Sequence, residues 1–533
     1  MTTRRNRLGW ALFAAGLLLM GGCEDAVVQP GPAAEERSAP VAALTAQALP
    51  VDGEEVEQLV RDAFAAYWAG TQFCEPSMAL SVLADEGSSS WANFAMRDVS
   101  SEPRQAWNNS LSYNRRALTE EPWNEHYRAI LAARKALRML DEGVEVGPNG
   151  DDTEAARALA TLVQGLSHGF LALLFDQAFV LDDDDDLVRR LPELTPYADV
   201  MTVALTHLDA AIALSDNTIF RLPFDWIFGM SPTNDELAQI AHSYAARYRA
   251  QVARTPEERA AVDWNAVLEH LDAAITGDFA PLGNDNGFDR YDCMKNFGQE
   301  GEVWSRADYR TIGPADESGG FDAWVATPLQ DRLVFNVITS DRRIVGSAVD
   351  PTVDGKDFEY QGTNGPFPQS RGTYHYSSHN HKRYQAYREA GNNGPMPVML
   401  VAEMDMLRAE ALLHTGGSTD DIAALINNTR VTRGEMNPAT GADAVGTPGD
   451  AQSHLDTASL WAKLKHEKRI ETYQTAAGLA YFDDRGWGDL VTNSPIHFPV
   501  PAKALEILFE ATYTFGGGGD GSASKTREPA MPF

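Results

Sequence analysis

Hydrophobic residues recur at helical spacing over much of this chain. The clearest stripes are Trp123, Tyr127, Ile130, Leu131, Leu137 and Leu140, followed by Leu159, Leu162, Leu166, Phe170 and Leu173. Apolar positions three or four residues apart predict amphipathic helices that bury one face. Within the second stripe, Gly165 and Gly169 are four residues apart, which predicts that a neighbouring helix approaches closely there.

Further helices are expected from Thr195-Pro196, from near Asp235 and from Asp263, and again over 398–414, 420–433 and 455–473. The helices before residue 277 start roughly 30 to 40 residues apart, close to the ~34-residue period of tetratricopeptide helix pairs, although no clean consensus is present. From 277 to 397, Gly, Pro, Asn, Asp and aromatic residues dominate, and only short extended pieces at 333–338 and 374–376 are expected. The pattern predicts a mainly α fold, with a tetratricopeptide-like frame of helix pairs and an irregular, loop-rich insertion.

The first 22 residues have the pattern of a signal peptide. Arg4, Arg5 and Arg7 precede an apolar run over residues 8–20, which is shorter than the ~20 residues of a permanent membrane helix. The run ends in Leu-Met-Gly-Gly before Cys23, which resembles the lipobox of bacterial lipoproteins and implies cleavage and lipidation at Cys23. The alternative is a secreted protein with a chance cysteine. Residues 23–51, rich in Ala, Pro and Glu, are expected to form a flexible tether, 52–515 a single domain and 516–533 a flexible tail.

Charge and cysteine content narrow the function classes. The 533 residues carry 44 Lys and Arg against 76 Asp and Glu, a formal charge of −32, so nucleic acid is an unfavourable partner. Once Cys23 is lipidated, only Cys74 and Cys293 remain, and the oxidising export route permits a disulfide between them. The sequence leaves open whether the two residues approach each other.

Motifs in the C-terminal half resemble those of SusD/RagB-type (starch-binding-like) outer-membrane nutrient-binding lipoproteins. They are a helix over 402–411, Ile-Asn-Asn-Thr-Arg at 426–430, His-Glu-Lys-Arg-Ile-Glu at 466–471, Tyr-Phe-Asp-Asp-Arg-Gly-Trp-Gly at 481–488 and Phe-Pro-Val-Pro at 498–501. Upstream, Trp123, Tyr127 and Tyr244 fall in the family's order, so the resemblance covers about residues 56–508. Lys468, Asp484 and Gly486 depart from the family's usual residues at a structural turn.

The resemblance implies a function in nutrient uptake. Members of that family are lipid-anchored on the outer face of the outer membrane, cap a SusC-like TonB-dependent transporter and bind oligosaccharides, or in some cases peptides, without cleaving them. The prediction is therefore a non-enzymatic, carbohydrate-binding lipoprotein. The net negative charge favours neutral glycans or basic peptides as ligands.

Candidate ligand contacts come from the two regions that combine aromatic and polar residues outside helical stripes. A glycan site needs exposed aromatic faces for stacking and polar side chains for hydrogen bonds to hydroxyl groups. The predicted ligand-binding residues are Asp85, Trp91, Asn93, Arg97 and Trp107 after the first helix, and Trp304, Tyr309 and Trp324 in the insertion. The alternative for each aromatic residue is packing of its loop onto the frame.

No cofactor or metal is expected. Asp182 to Asp186 offer carboxylates to Ca²⁺ but lack the spaced ligands and glycine of an EF-hand loop. His375, His379 and His381 would share one face of an extended strand, yet their spacing matches no standard zinc motif.

Two functions from other classes stay open. One is a tetratricopeptide-like surface scaffold that binds no small molecule. The other is a glycoside hydrolase, which needs only two well-placed carboxylates, although the common catalytic motifs are missing from the sequence.

Overall fold

The computed structural model describes residues 53–181, 192–284, 290–297, 305–363 and 375–523, all of which belong to one compact unit. Cys23, Trp304 and Asp182 to Asp186 lie outside the described residues. The description below covers the described residues only.

Helices dominate, as the hydrophobic stripes predict. In chain order they are α1 Gly53–Gln72, α2 Cys74–Leu83, α3 Met96–Ser100, α4 Ala117–Asp141, α5 Thr153–Leu174, α6 Tyr197–Asn217, α7 Asn234–Gln251, α8 Pro256–Ala260, α9 Trp264–Asp272, α10 Cys293–Phe297, α11 Tyr309–Ile312, α12 Gly320–Ala326, α13 Gln385–Glu389, α14 Val401–Thr415, α15 Thr419–Arg430, α16 Leu460–Glu471, α17 Leu479–Trp487 and α18 Ala502–Ile507. Short 3₁₀ turns occur at Asn93–Ala95, Pro148–Gly150, Gly313–Ala315 and Leu329–Asp331.

The strands are short and pair two by two in antiparallel ladders. They are β1 Gly87–Ser88, β2 Gln177–Phe179, β3 Leu194–Pro196, β4 Leu282–Gly283, β5 Arg306–Ala307, β6 Phe358–Tyr360, β7 His379–His381 and β8 Gly394–Pro395. The pairs are β1 with β5, β2 with β3, β4 with β8 and β6 with β7. Since β1 follows the first two helices of the frame and β5 belongs to the insertion, the first pair joins the two regions.

Consecutive long helices pack side by side, which confirms the predicted frame of helix pairs. Helix α1 packs on α4, α4 on α5, α5 on α6, and α6 on α7, while α14 packs on α15 and α16. Gly165 and Gly169 of α5 allow this packing: a Cβ atom at Gly165 would lie 2.9 Å from Leu208, and one at Gly169 would lie 2.0 Å from the ring of Tyr248. The close approach predicted from these two glycines is therefore present.

Among the residues that the structure describes, two helices are long and apolar enough to cross a membrane by length and composition. They are α5, which is almost entirely buried within the fold, and α6, which packs against it. The apolar window of α5 is 94% buried within the fold, and that of α6 is 39% buried.

Cys74 at the start of α2 and Cys293 at the start of α10 form a disulfide, with Cα atoms 5.0 Å apart. The bond ties the first helices of the frame to the beginning of the insertion across 219 residues of sequence. The pairing left open by the sequence is thus made.

Three sequence expectations differ from the structure. The described residues 333–338 contain no strand, and Tyr376 makes only one isolated bridge, with Asp308. Helix α6 begins at Tyr197, because the preceding residues, including the predicted start at Thr195-Pro196, pair as strand β3.

The third difference concerns the tail. The described part, 516–523, is held by backbone hydrogen bonds, in which Ile496 N–H donates to Gly521 and Ala523 N–H donates to Ser494. These partners lie more than twenty residues away, so a glycine-rich sequence that reads locally as a linker is fixed by tertiary contacts.

The motif residues of the C-terminal half meet in a buried ionic cluster. Arg259 donates to both oxygens of Glu410 at 2.8 Å, and Lys468 lies 2.8 Å from Asp483. The indole N–H of Trp487 also donates to Glu410 at 2.8 Å. Burial alone would raise the pKa of Glu410, but Arg259 and Lys468 outweigh it and lower the pKa to about 2. The cluster therefore joins α14, α16, α17 and α8 through paired charges.

Candidate ligand-binding site

The loop between α2 and α4 folds back on itself. The N–H of Arg97 donates to the carbonyl of Trp91 at 2.9 Å, and the N–H of Ser101 donates to the carbonyl of Arg97 at 3.1 Å. The stretch before Trp91 is Gly-Ser-Ser-Ser, whose small polar residues favour turns over a helical stripe. The result is a compact loop on the rigid frame, the arrangement in which binding surfaces commonly occur.

The backbone of this loop is strained at its turn. Phe94 and Ala95 adopt φ values of +55° and +58°, so two consecutive residues other than glycine lie in the left-handed region. Each such residue costs free energy and persists only where surrounding contacts hold it, a situation that clusters at functional sites. Asn93 comes directly before this strained turn, and Arg97 follows it.

The side chains at the turn are accessible. Trp91 and Asn93 are partly exposed, and Arg97 and Asp98 are exposed. Tyr113, from the segment before α4, donates a hydrogen bond to Asp98. Trp91, Asn93 and Arg97 thus lie along one partly exposed turn, and their role as ligand contacts stays a prediction.

Tyr113 was missed in the sequence. Its burial and its contact with Asp98 raise its pKa, so the hydroxyl stays protonated and remains a donor at neutral pH. Its ring packs edge-on against Trp107, with ring centroids 5.3 Å apart. The available signal was its place at the end of the Asn- and Ser-rich stretch that follows Trp107.

Two of the predicted residues lie beneath this surface. Trp107 is 5% exposed and packs against Phe498 as well as Tyr113. Asp85 is 2% exposed and forms ion pairs with Arg104 at 2.8 Å and with Arg310 at 3.4 Å. Although burial raises the pKa of Asp85, these two cations outweigh it and lower the pKa. In this conformation both residues support the loop from below.

Tyr309 and Trp324 form part of a separate core in the insertion. Tyr309 stacks on Phe335 with centroids 4.3 Å apart and planes within 11°, and Trp324 lies 5.2 Å from Tyr309. Both side chains are buried, at 0% and 4% exposure, and the guanidinium of Arg332 lies over the Trp324 ring. In this conformation neither ring presents a face to solvent.

The structure separates His375 from His379 and His381, the three histidines weighed as possible zinc ligands. His379 and His381 share one face of β7 and lie opposite Tyr360 and Phe358, whereas His375 precedes the strand and lies 3.4 Å from Glu102. Burial lowers the pKa of His375 to about 3 and also lowers those of the other two, so all three are neutral at pH 7. Within the described ranges, no group of three or more His, Cys, Asp or Glu side chains is arranged to hold a metal ion.

Comparison with solved structures identifies the fold. A SusD superfamily protein from Bacteroides vulgatus matches with a TM-score of 0.55 at 15% identity, covering 85% of this chain and 97% of that chain. One from Bacteroides fragilis matches with a TM-score of 0.53 at 14% identity, covering 86% and 98%. A third structure, described as containing a xylogluco-oligosaccharide, matches with a TM-score of 0.51 at 11% identity, covering 89% and 94%.

No protein-family model and no curated protein matches the sequence. The structural matches, which cover almost the whole length of their counterparts, show that this chain has the SusD-like fold that the sequence motifs indicated.

Proposed function

We propose that this protein is a cell-surface lipoprotein that captures glycans and delivers them to a SusC-like TonB-dependent outer-membrane transporter. The observation that carries the proposal is the strained, hydrogen-bonded loop that presents Trp91 beside Asn93 and Arg97 on a SusD-like fold. One protein of that fold is described with a bound xylogluco-oligosaccharide, which supports a glycan as the ligand class.

The chemistry of the loop suits a neutral sugar. An indole face packs against the apolar face of a pyranose ring, while amide, guanidinium and hydroxyl groups form hydrogen bonds with the ring substituents. Trp91 supplies the indole, and Asn93, Arg97 and Tyr113 supply hydrogen-bond donors and acceptors. Asp98 next to Tyr113 adds an acceptor, and its charge disfavours acidic sugars at this position.

The anchor, the transporter and the location belong to the same proposal. Lipidation at Cys23 rests on the lipobox-like sequence, and an outer-membrane position facing the exterior rests on the fold resemblance. The proposed role is binding without chemistry, so no catalytic residue is assigned.

Calorimetric titration with a panel of neutral oligosaccharides, including xyloglucan fragments, tests ligand capture. Trp91→Ala should weaken binding at least about tenfold, as truncation of a central aromatic contact commonly does. Phe224→Ala, which removes a 63%-exposed aromatic ring elsewhere, is the matched control and should leave the affinity unchanged. Equal affinity of the wild type and Trp91→Ala would remove this loop from the site.

The same panel separates the alternatives. Binding of basic peptides with no glycan binding would indicate a peptide-capturing protein of the same fold. Absence of both would favour a surface scaffold, and release of shorter sugars on long incubation would indicate a glycoside hydrolase. Mild-detergent purification from the native membrane tests the transporter: a TonB-dependent barrel in near-stoichiometric amount is expected, and recovery of the protein alone would contradict delivery.

A further inference from the structure

Two buried carboxylates lie at the ends of the loop around Trp91. Asp85 comes just after α2 and is 2% exposed, and Glu102 comes just after α3 with a side chain that is 12% exposed. Carboxylates are seldom buried to this extent unless cations pair with them, because removing water from the charge is costly. Both ends of the loop therefore need positively charged partners.

Arg310, in helix α11 of the insertion, pairs with both carboxylates. Its two terminal nitrogens contact Glu102, Nη2 at 3.2 Å, and Nη1 also lies 3.4 Å from Asp85. Burial would raise the pKa of Glu102, but the guanidinium of Arg310 outweighs it and lowers the pKa, so this carboxylate stays charged at neutral pH. The planar fork of a guanidinium presents several donors in fixed directions, which lets one side chain join two acceptors.

The residues next to Arg310 hold the same end of the loop. The Thr311 hydroxyl donates to the carbonyl of Asp85 at 2.8 Å, and the N–H of Asp308 donates to the carbonyl of Glu86 at 3.0 Å. The insertion thus contacts the start of the loop through its backbone as well as through charge.

Arg104 has a different part in this arrangement. It pairs with Asp85 at 2.8 Å and donates to the carbonyl of Val99 at 2.9 Å, so it joins the two ends of the loop to each other. Arg310 reaches both ends from the insertion, more than two hundred residues along the chain. Two arginines and two carboxylates balance in charge, and only Arg310 makes the position of the loop depend on the insertion.

The turn within the loop depends on this external support. Phe94 and Ala95 lie in the left-handed region, which costs free energy that contacts elsewhere must offset. If the two ends of the loop are released, the backbone can relax to ordinary φ values. Trp91 and Arg97 would then lose the fixed spacing that their closing hydrogen bond gives them.

We propose that Arg310 is a positioning residue for the glycan site: it holds both ends of the loop against the insertion, so that Trp91, Asn93 and Arg97 keep the spacing in which they meet a sugar. The inference rests on the proposed function and deepens it, because it makes the insertion a condition for ligand capture. Arg310 itself is assigned no contact with the ligand.

The test uses the full chain with Arg310→Met and Glu102→Gln combined. Arg310→Met alone leaves an uncompensated buried carboxylate and can fail to fold. The double variant removes the contact between insertion and loop while Arg104 and Asp85 remain as a balanced pair. It is therefore expected to fold, which denaturant unfolding checks.

The first readout is amide hydrogen exchange of the unliganded protein, followed by mass spectrometry. Peptides that contain the hydrogen-bonded amides of Arg97 and Ser101 should exchange at least about tenfold faster in the double variant than in the wild type. The second readout is calorimetric titration with the neutral oligosaccharides, including xyloglucan fragments. The affinity for the tightest-binding oligosaccharide should fall at least about tenfold, because a loosened site must be ordered on binding.

Arg383→Met is the matched control. Arg383 also belongs to the insertion, but it pairs with Glu471 of α16 at 2.9 Å instead of with the loop. Its removal should lower the unfolding midpoint and leave both loop exchange and glycan affinity at wild-type values. An equal loss of affinity in this control, or unchanged loop exchange in the double variant, would overturn the proposal. Faster exchange with unchanged affinity would overturn it as well.

The two readouts also separate this inference from the proposed function. Exchange is measured without glycan, so it reports only whether Arg310 fixes the loop. If the wild type binds no oligosaccharide, the proposed function is contradicted, and the exchange result still decides whether the insertion holds the loop.

Discussion

Glu410→Gln tests whether the ionic cluster beneath the motif helices stabilises the fold through its charge balance. Two cations, Arg259 and Lys468, face two anions, Glu410 and Asp483, and all four side chains are at most 4% exposed. Glutamine keeps the shape of Glu410 and its ability to accept from Trp487, so the substitution removes one negative charge and the acceptor for one of the two Arg259 hydrogen bonds.

The expected cost follows from this geometry. Glu410→Gln leaves the cluster with one uncompensated buried positive charge, because Asp483 alone cannot neutralise both cations. Breaking a buried ion pair by removing one partner costs about 3–5 kcal/mol. Trp487→Phe removes only the hydrogen bond from the indole N–H to Glu410. Apart from the effect of lost packing, it should lower the free energy of unfolding by about 1 kcal/mol.

Urea unfolding at pH 7, followed by tryptophan fluorescence, measures the difference. Asp272→Asn is the matched control: it removes the charge of an exposed aspartate that pairs with Arg408 at 2.8 Å, and should cost less than about 0.5 kcal/mol. Adding Lys468→Met to Glu410→Gln restores neutrality and should recover part of the loss. A cost for Glu410→Gln within about 1 kcal/mol of the control, or no recovery in the double variant, would refute the charge-balance argument.

Three other stability predictions follow from single contacts. Replacing Cys74 and Cys293 by serine should lower the free energy of unfolding by at most about 5 kcal/mol in the chain-entropy model for a 219-residue loop, and reducing agent should then have no further effect. Burial, together with the nearby charge of Glu121, raises the pKa of Glu75 to about 7. The contribution of Glu75 to stability is therefore full below pH 4.5 and is lost as the pH rises through 7. In chemical unfolding, the free energy of unfolding should fall by at most about 3 kcal/mol between pH 5 and 9 because of this group, and Glu75→Gln should remove that fall. Gly169→Ala should cost about 1–3 kcal/mol in the same assay, because its Cβ would overlap the Tyr248 ring; no loss would mean that the ring can move.

The helical frame could be predicted because a packed helix has a local pattern of apolar and small residues in its sequence. The stripes at 123–140 and 159–173 fall within α4 and α5, and the four-residue spacing of Gly165 and Gly169 correctly indicated a close helix contact. Boundaries were less accurate: α14 begins at Val401 rather than at residue 398, since Val398 accepts from Arg247 and donates to Phe279 instead of entering the helix. The partner residues that decide this lie more than a hundred positions away.

The candidate site was predictable only in part, for the same reason. An aromatic residue in a polar loop has the same local pattern whether it faces solvent or packs inward, and distant residues decide between the two. Trp107 is buried because Phe498 packs on its ring and because its backbone N–H donates to the carbonyl of Phe515. Both partners lie about four hundred residues further along the chain. Trp91 lies in a loop closed by Arg97, six residues away, and keeps part of its ring at the surface.

Contacts with distant residues also explain how the loop around Trp91 can contain strained residues and still keep one defined conformation. The segment that follows it is hydrogen-bonded to the C-terminal segment, where the backbone N–H of Trp107 donates to Phe515, and Asn109 donates to the carbonyls of Val500 and Tyr513. Asp85, on the other side of the loop, is tied to the insertion through Arg310. Fixing both ends of the loop to distant parts of the fold offsets the cost of two left-handed residues at its turn, so residues predicted as ligand contacts act as its support. We therefore expect substitutions at Asp85 and Trp107 to lower stability and glycan affinity together, whereas Trp91→Ala should lower affinity alone.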